Sequence, residues 1–153
     1  MTTIKHYLSL KQMECRSTYN SKKRVLEAFG LLFSDRHQLD PEQSSLIFDA
    51  LLKREKIGST ALGNGIAIPH ARINDLKTPK LAVITLQTAI DFDAPDQKLV
   101  DILISLLVPR KESNLHLSLL KQLATILQDK KLVIQLRESK NNKALYQILK
   151  HST

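Results

Sequence analysis

The sequence predicts a three-layer α/β domain, and three observations carry the prediction. Apolar residues recur at helical spacing toward both ends of the chain. The middle instead carries short, nearly continuous apolar runs bounded by Gly, Pro and Asp. No internal repeat, low-complexity linker or second compositional zone divides the chain. Helices that bracket strands in sequence pack best as layers on the two faces of a sheet. The 153 residues are 42% hydrophobic and 25% charged, and a domain of this size buries about 68–70% of its unfolded surface. A core can therefore form without covalent staples.

The elements follow in order. Asn20-Ser21 precedes a helix whose inward face is Val25, Leu26, Phe29, Leu32 and Phe33. Asp40-Pro41-Glu42-Gln43 starts a second: Asp40 caps, Pro41 suits the first helical position, and Gln43 reaches back. Its face, Ile47, Ala50 and Leu51, runs to about Arg54. Gly63-Asn64-Gly65 is a turn, Ile66-Ala67-Ile68 a short strand, and Pro69 ends that strand's hydrogen-bond ladder. Leu81 to Leu86 is a second strand, Asp91 to Gln97 a polar turn region, and Val100 to Val108 a third strand buried on both faces. Helical spacing then returns. Ser113-Asn114 caps a helix with Leu115, Leu119, Leu120, Leu123, Ile126 and Leu127 inward. Asp129 caps another over Lys130 to Arg137, and Asn141 caps a last one carrying Leu145, Ile148 and Leu149.

Composition removes several function classes. Met1 to Gln12 alternates polar and apolar residues and so lacks the apolar block of a secretory signal. Leu99 to Pro109, the most apolar run, is too short to cross a bilayer and contains Asp101. With Cys15 the only cysteine, neither a disulfide framework nor a multi-cysteine zinc site fits within one chain. A cytoplasmic protein without membrane insertion is expected. The formal charge of +8 raises the question of nucleic acid, but the basic residues are scattered and no aromatic platform lies among them. Nucleic-acid binding is not expected; solvated helix faces and acidic protein partners suit the charge better.

Chemistry concentrates in Gly63-Asn64-Gly65-Ile66-Ala67-Ile68-Pro69-His70. The glycines permit close backbone approaches, and Pro69 pins the chain just before a histidine presented at a strand end. A histidine in a polar turn would fit the same pattern. His116 lies in the first turn of its helix, where the dipole disfavours a charged imidazole and attracts anions; packing at the core edge is the alternative. Arg54 closes the second helix and presents a fork that suits phosphate oxygens, though a solvated charge at a helix end fits equally. His6, His37 and His151 sit in terminal or polar contexts and receive no role. Phosphate-loop, dinucleotide, nucleophile-elbow and His-Glu-x-x-His patterns are absent. Asp91, Asp93 and Asp96 read as loop-shaping acids rather than a catalytic pair.

Arg54-Glu55, Gly58-Ser59-Thr60 and the segment from Gly63 to His70 together resemble the active-site region of fructose/mannitol-type enzyme IIA, a component of the bacterial phosphoenolpyruvate-dependent phosphotransferase system. The likeness continues through Ile90-Asp91-Phe92-Asp93-Ala94, Val100 to Pro109 and Leu115-His116-Leu117. Ser21-Lys22-Lys23-Arg24 and the lack of attached IIB or IIC domains point to the stand-alone, nitrogen-related branch. The resemblance implies one domain over residues 6–150, with a mixed central sheet flanked by helices on both faces. It implies a phosphotransferase component whose turnover is regulatory rather than metabolic. His70 would carry the phosphoryl group, with His116 as second active-site histidine and Arg54 stabilising the group. The implied donor is a histidine-containing phosphocarrier protein, HPr- or NPr-like, with enzyme I upstream; no cofactor or metal is implied. Regulatory target proteins would lie downstream. Two other readings stay open: a sugar-specific enzyme IIA passing phosphate to a IIB domain, and a non-catalytic module using its basic surface.

Overall fold

A computed structural model describes residues 3–34, 41–111 and 113–152. In chain order its elements are β1 (Met13–Ser17), α1 (Lys22–Phe33), α2 (Pro41–Ile57), β2 (Ala61–Gly63), β3 (Ile66–Ala67), β4 (His70–Ile73), β5 (Lys80–Ile90), β6 (Val100–Pro109), α3 (Ser113–Ile126), α4 (Lys130–Glu138) and α5 (Asn142–Ser152). Two short 3-10 turns, Ile4–Tyr7 and Leu10–Gln12, precede β1.

The sheet is mixed and runs β1-β5-β6-β3-β2, with β4 paired on β6 beyond β3. Strands β5 and β6 are antiparallel, while β1 is parallel to β5 and both β3 and β4 are parallel to β6. Side-chain alternation divides two cores. On β5 and β6, Leu81, Val83, Ile102, Ile104, Leu106 and Val108 pack with Leu119, Leu123, Leu136 and Leu145 of α3, α4 and α5. Ala82, Ile84, Leu103 and Leu107 point to the other face, onto Phe29, Phe33 and Leu51 of α1 and α2. Both strands are thus buried on two sides, and each large aliphatic chain so buried contributes about 1.5–3 kcal/mol of transfer free energy.

The helix starts follow capping chemistry. Ser21 Oγ accepts from the Arg24 amide at 3.2 Å at the head of α1. Asp129 Oδ1 accepts from Lys131 and Leu132, and Asn141 Oδ1 accepts from Ala144. The expected Asp40 cap of α2 lies outside the described residues.

Several boundaries differ from the sequence expectation. β1 adds a parallel edge strand to β5 in a segment given no structure by periodicity. β5 reaches Ile90, four residues past Leu86, and α2 continues three residues past Arg54 because Glu55-Lys56-Ile57 favours helix until Gly58. Phe92 is fully buried inside the supposedly polar turn region. The main difference concerns His70. It does not end the Ile66 strand but opens a separate one, β4. Pro69 has no amide proton to donate, so the ladder breaks between β3 and β4; its carbonyl still accepts from Leu106 at 3.0 Å. One extended segment therefore follows β6 with a two-residue interruption immediately before His70.

Candidate functional site

Local backbone chemistry delivers His70 to the edge of the sheet. Gly63 (φ 95°), Asn64 (φ 56°) and Gly65 (φ 82°) turn the chain in left-handed geometry. The turn is fixed from outside: the Asn64 amide donates to Asp96 Oδ2 at 2.8 Å, and Arg137 Nη2 donates to the Asn64 carbonyl at 3.2 Å. The acids of the 91–97 segment do shape loops, since Asp91 accepts from Asp93 and Asp96 accepts from Lys98.

His70 is partly exposed, with Nδ1 2.8 Å from the Ile68 carbonyl oxygen. A carbonyl only accepts, so this contact requires the proton on Nδ1 and leaves Nε2 with a free lone pair. Burial holds the His70 pKa below the ordinary histidine value; the Ile68 bond opposes that, Arg54 adds to it and Glu55 offsets it. The ring is neutral at neutral pH.

His116, in the first turn of α3, is 8% exposed. Its ring meets that of His70 edge to face, centroids 5.3 Å apart at 82°. Burial, then repulsion from His70 when that ring is protonated and from Arg72 and Arg54, lowers its pKa to about 4.

Arg54 reaches the cleft from the last turn of α2, where its Nη1 donates to the Gly58 carbonyl at 2.9 Å. The next residue anchors that turn. Glu55, 5% exposed, accepts from the Thr60 amide and hydroxyl and pairs with Lys22 at 3.1 Å. Ser59 Oγ donates to the Phe92 carbonyl at 2.7 Å. Arg54-Glu55 and Gly58-Ser59-Thr60 thus form one joint between helix and sheet.

The three predicted residues line a single cleft of about 820 Å³. Lys53, Arg72 and Arg110 share its walls with Glu42 and Asp49. Arg72 was not anticipated from sequence. Strand alternation would have found it: on β4, Ala71 and Ile73 enter the core beside α1 and α2, so His70 and Arg72 share the opposite face. Arg72 Nε donates to His116 Nδ1 at 3.1 Å. Of the other histidines, His6 lies in the first 3-10 turn, His151 contacts Gln147 on α5, and His37 lies outside the described residues. Among the described residues no group of three or more His, Cys, Asp or Glu gathers to hold a metal ion. A neutral imidazole with a free lone pair, ringed by cations, suits attack on an electrophile that carries negative charge.

Comparison with known proteins finds relatives along most of the chain. The family model described as phosphoenolpyruvate-dependent sugar phosphotransferase system, EIIA 2, matches residues 6–152. A nitrogen regulatory protein of Pseudomonas aeruginosa is 44% identical over 129 residues, covering 84% of this chain and 82% of that protein. The crystal structure of nitrogen regulatory protein IIA-Ntr from Neisseria meningitidis superposes with a TM-score of 0.86 at 35% identity, covering 95% of this chain and 98% of the other. The enzyme IIA for mannitol of Escherichia coli, solved in complex with phosphorylated enzyme IIB, shares the fold with a TM-score of 0.73 at 17% identity, covering 93% of this chain and 96% of that one.

Proposed function

The chain belongs to the EIIA 2 family of the phosphoenolpyruvate-dependent sugar phosphotransferase system, and from that premise we propose that it is a phosphoryl carrier that accepts phosphate on His70 and acts as a nitrogen-related regulatory enzyme IIA. One observation carries the reading: the Ile68 carbonyl holds the Nδ1 proton of His70, which frees Nε2 beside Arg54 and His116. The donor is a phosphohistidine on an HPr- or NPr-like phosphocarrier charged by enzyme I. His70 Nε2 attacks phosphorus in line, a new N–P bond forms, and the donor's N–P bond breaks with its electron pair returning to the donor ring. The Nδ1 proton stays in place, and the Ile68 carbonyl stabilises the positive charge that the receiving ring acquires. Phosphoryl transfer demands little else than alignment and stabilisation of spread negative charge. Arg54 and His116 supply that stabilisation, in a cleft where both histidines start neutral.

The likeness to nitrogen regulatory proteins supports a regulatory output, in which phosphorylation changes the set of target proteins bound. The family description names a sugar system, and this favours a second reading in which phosphate passes to a sugar-specific IIB domain. Either reading places the work in the cytoplasm. Among the described residues no helix is long and apolar enough to cross a membrane.

Incubation with enzyme I, phosphocarrier and labelled phosphoenolpyruvate tests the assignment. The chain is expected to take up acid-labile label, and His70→Ala to take none while keeping the circular dichroism of the parent. Label on a folded His70→Ala chain would overturn it. Adding IIB domains separates the readings, since the regulatory one predicts that the label stays on this chain.

A further inference from the structure

We infer that Arg72 is a positioning residue that locks His116 in the tautomer with its proton on Nε2, making the second histidine a permanent neutral hydrogen-bond donor in the cleft. The consequence for phosphoryl chemistry rests on the function proposed above; the tautomer itself does not.

The sequence places Arg72 two residues after His70 on β4, so both side chains leave the strand on the face away from α1 and α2. Arg72 is exposed, while the imidazole it reaches, on α3, is buried. Its Nε lies 3.1 Å from His116 Nδ1. A guanidinium nitrogen can only donate and does not deprotonate in proteins, so Nδ1 must supply the lone pair. A neutral imidazole accepting at Nδ1 carries its proton on Nε2. Doubly protonated His116 would turn two N–H groups toward each other. Arg72 from β4 and Arg54 from α2 oppose that state too, Lys53 and Arg110 add positive charge to the same cleft, and Glu42 and Asp49 of α2 add negative charge.

The two rings in edge-to-face contact are therefore held in opposite tautomers by different means. A backbone carbonyl keeps the proton on Nδ1 of His70 and makes that ring a nucleophile at Nε2. An arginine keeps the proton off Nδ1 of His116 and makes that ring a donor. Phosphoryl oxygens only accept, so a His116 in the other tautomer would present a lone pair to them and repel. Without Arg72 the neutral ring distributes between tautomers, and part of the population is the repelling form. Lysine would keep both the charge and a nitrogen that only donates.

Long-range proton–nitrogen correlation spectra of the full-length, nitrogen-15-labelled chain test this. In the unphosphorylated wild type, His116 is expected to show an unprotonated Nδ1, a protonated Nε2 and no titration above about pH 5, given its pKa of about 4. In Arg72→Met, an exposed substitution that leaves the core intact, both tautomers should appear and the His116 midpoint should rise by about one pH unit as a like charge is lost. Arg72→Lys, which keeps a cation that can only donate, should keep both the low midpoint and the wild-type tautomer. A protonated Nδ1 in the wild type, or an unchanged tautomer in Arg72→Met, would overturn the inference. With phosphocarrier present, Arg72→Met should still be labelled on His70 but about two- to threefold more slowly, in proportion to the share of His116 left in the repelling tautomer. Mixed tautomers with a wild-type rate would contradict the positioning role. Failure of the underlying function shows separately, as a wild-type chain that takes no label whatever its tautomers.

Discussion

At the His70 cleft, Arg54, Arg72 and Arg110 donate to the Gly58 carbonyl, to His116 Nδ1 and to Asn74 Oδ1, all neutral acceptors. Behind the glycine turn, in a groove of about 700 Å³ bordered by Leu62, Leu99 and Ile134, Arg137 meets both oxygens of Asp101 at 2.7 and 2.9 Å. The two regions share a sheet edge and a residue type, yet they use positive charge differently. In the groove a carboxylate neutralises the cation, and the pair clamps the turn that leads to His70. In the cleft the arginines are oriented by neutral acceptors, which suits an anion that comes and goes. The lesson is that the partner of an arginine, rather than its presence, separates scaffold from site.

That contrast can be broken by substitution. Arg54→Ala should produce the largest effect, slowing phosphoryl acceptance about 100-fold, as loss of one preorganised donor does; single-turnover labelling measures it, and a wild-type rate would assign Arg54 to the scaffold. His116→Ala should come next. It is expected to retain phosphorylation but to transfer about tenfold more slowly, in line with one lost hydrogen bond to a charged group. Gly65→Ala sharpens the comparison from the groove side. A Cβ there would lie 2.8 Å from Arg137 Nη2 and 3.1 Å from Asp101 Oδ1, at φ +82°. Thermal or denaturant unfolding should report a loss of about 1–3 kcal/mol, typical of a side chain forced into left-handed backbone. The folded variant should still be labelled within about twofold of the wild-type rate, because Pro69 and the Ile68 carbonyl, not the groove, set the His70 ring. The smallest effect concerns pH. The lowered pKa of His116 contributes stability above the ordinary histidine value, which is lost as pH falls from about 6.5 toward about 4; a denaturation series across that window should show the decline, with no matching step above pH 7.

Much of this was legible in the sequence. Layer order followed from helical spacing around apolar runs, and the helix starts at Ser21, Asp129 and Asn141 followed from their side-chain oxygens. His70, His116 and Arg54 lie far apart in sequence and still share one cleft. What escaped had physical reasons. β1 is an edge strand, Met-Glu-Cys-Arg-Ser, whose pattern alternates too weakly to announce itself and which exists through its pairing with β5. β4 was hidden because Pro69 reads as a stop, whereas the ladder on β6 resumes one residue later. Once β4 is recognised as a strand, Arg72 falls on the face of His70. The Lys22–Glu55 pair joins the start of α1 to the end of α2, a contact that spacing along the chain does not encode.

The central claim is that His70 accepts phosphate on Nε2 because Ile68 holds the Nδ1 proton. Nitrogen–phosphorus coupling in the spectrum of the phosphorylated, nitrogen-15-labelled chain tests it most directly. The account predicts one coupled imidazole, that of His70, with phosphorus on Nε2 and the proton retained on Nδ1. Coupling to His70 Nδ1, or to a nitrogen of His116 or any other residue, would contradict it.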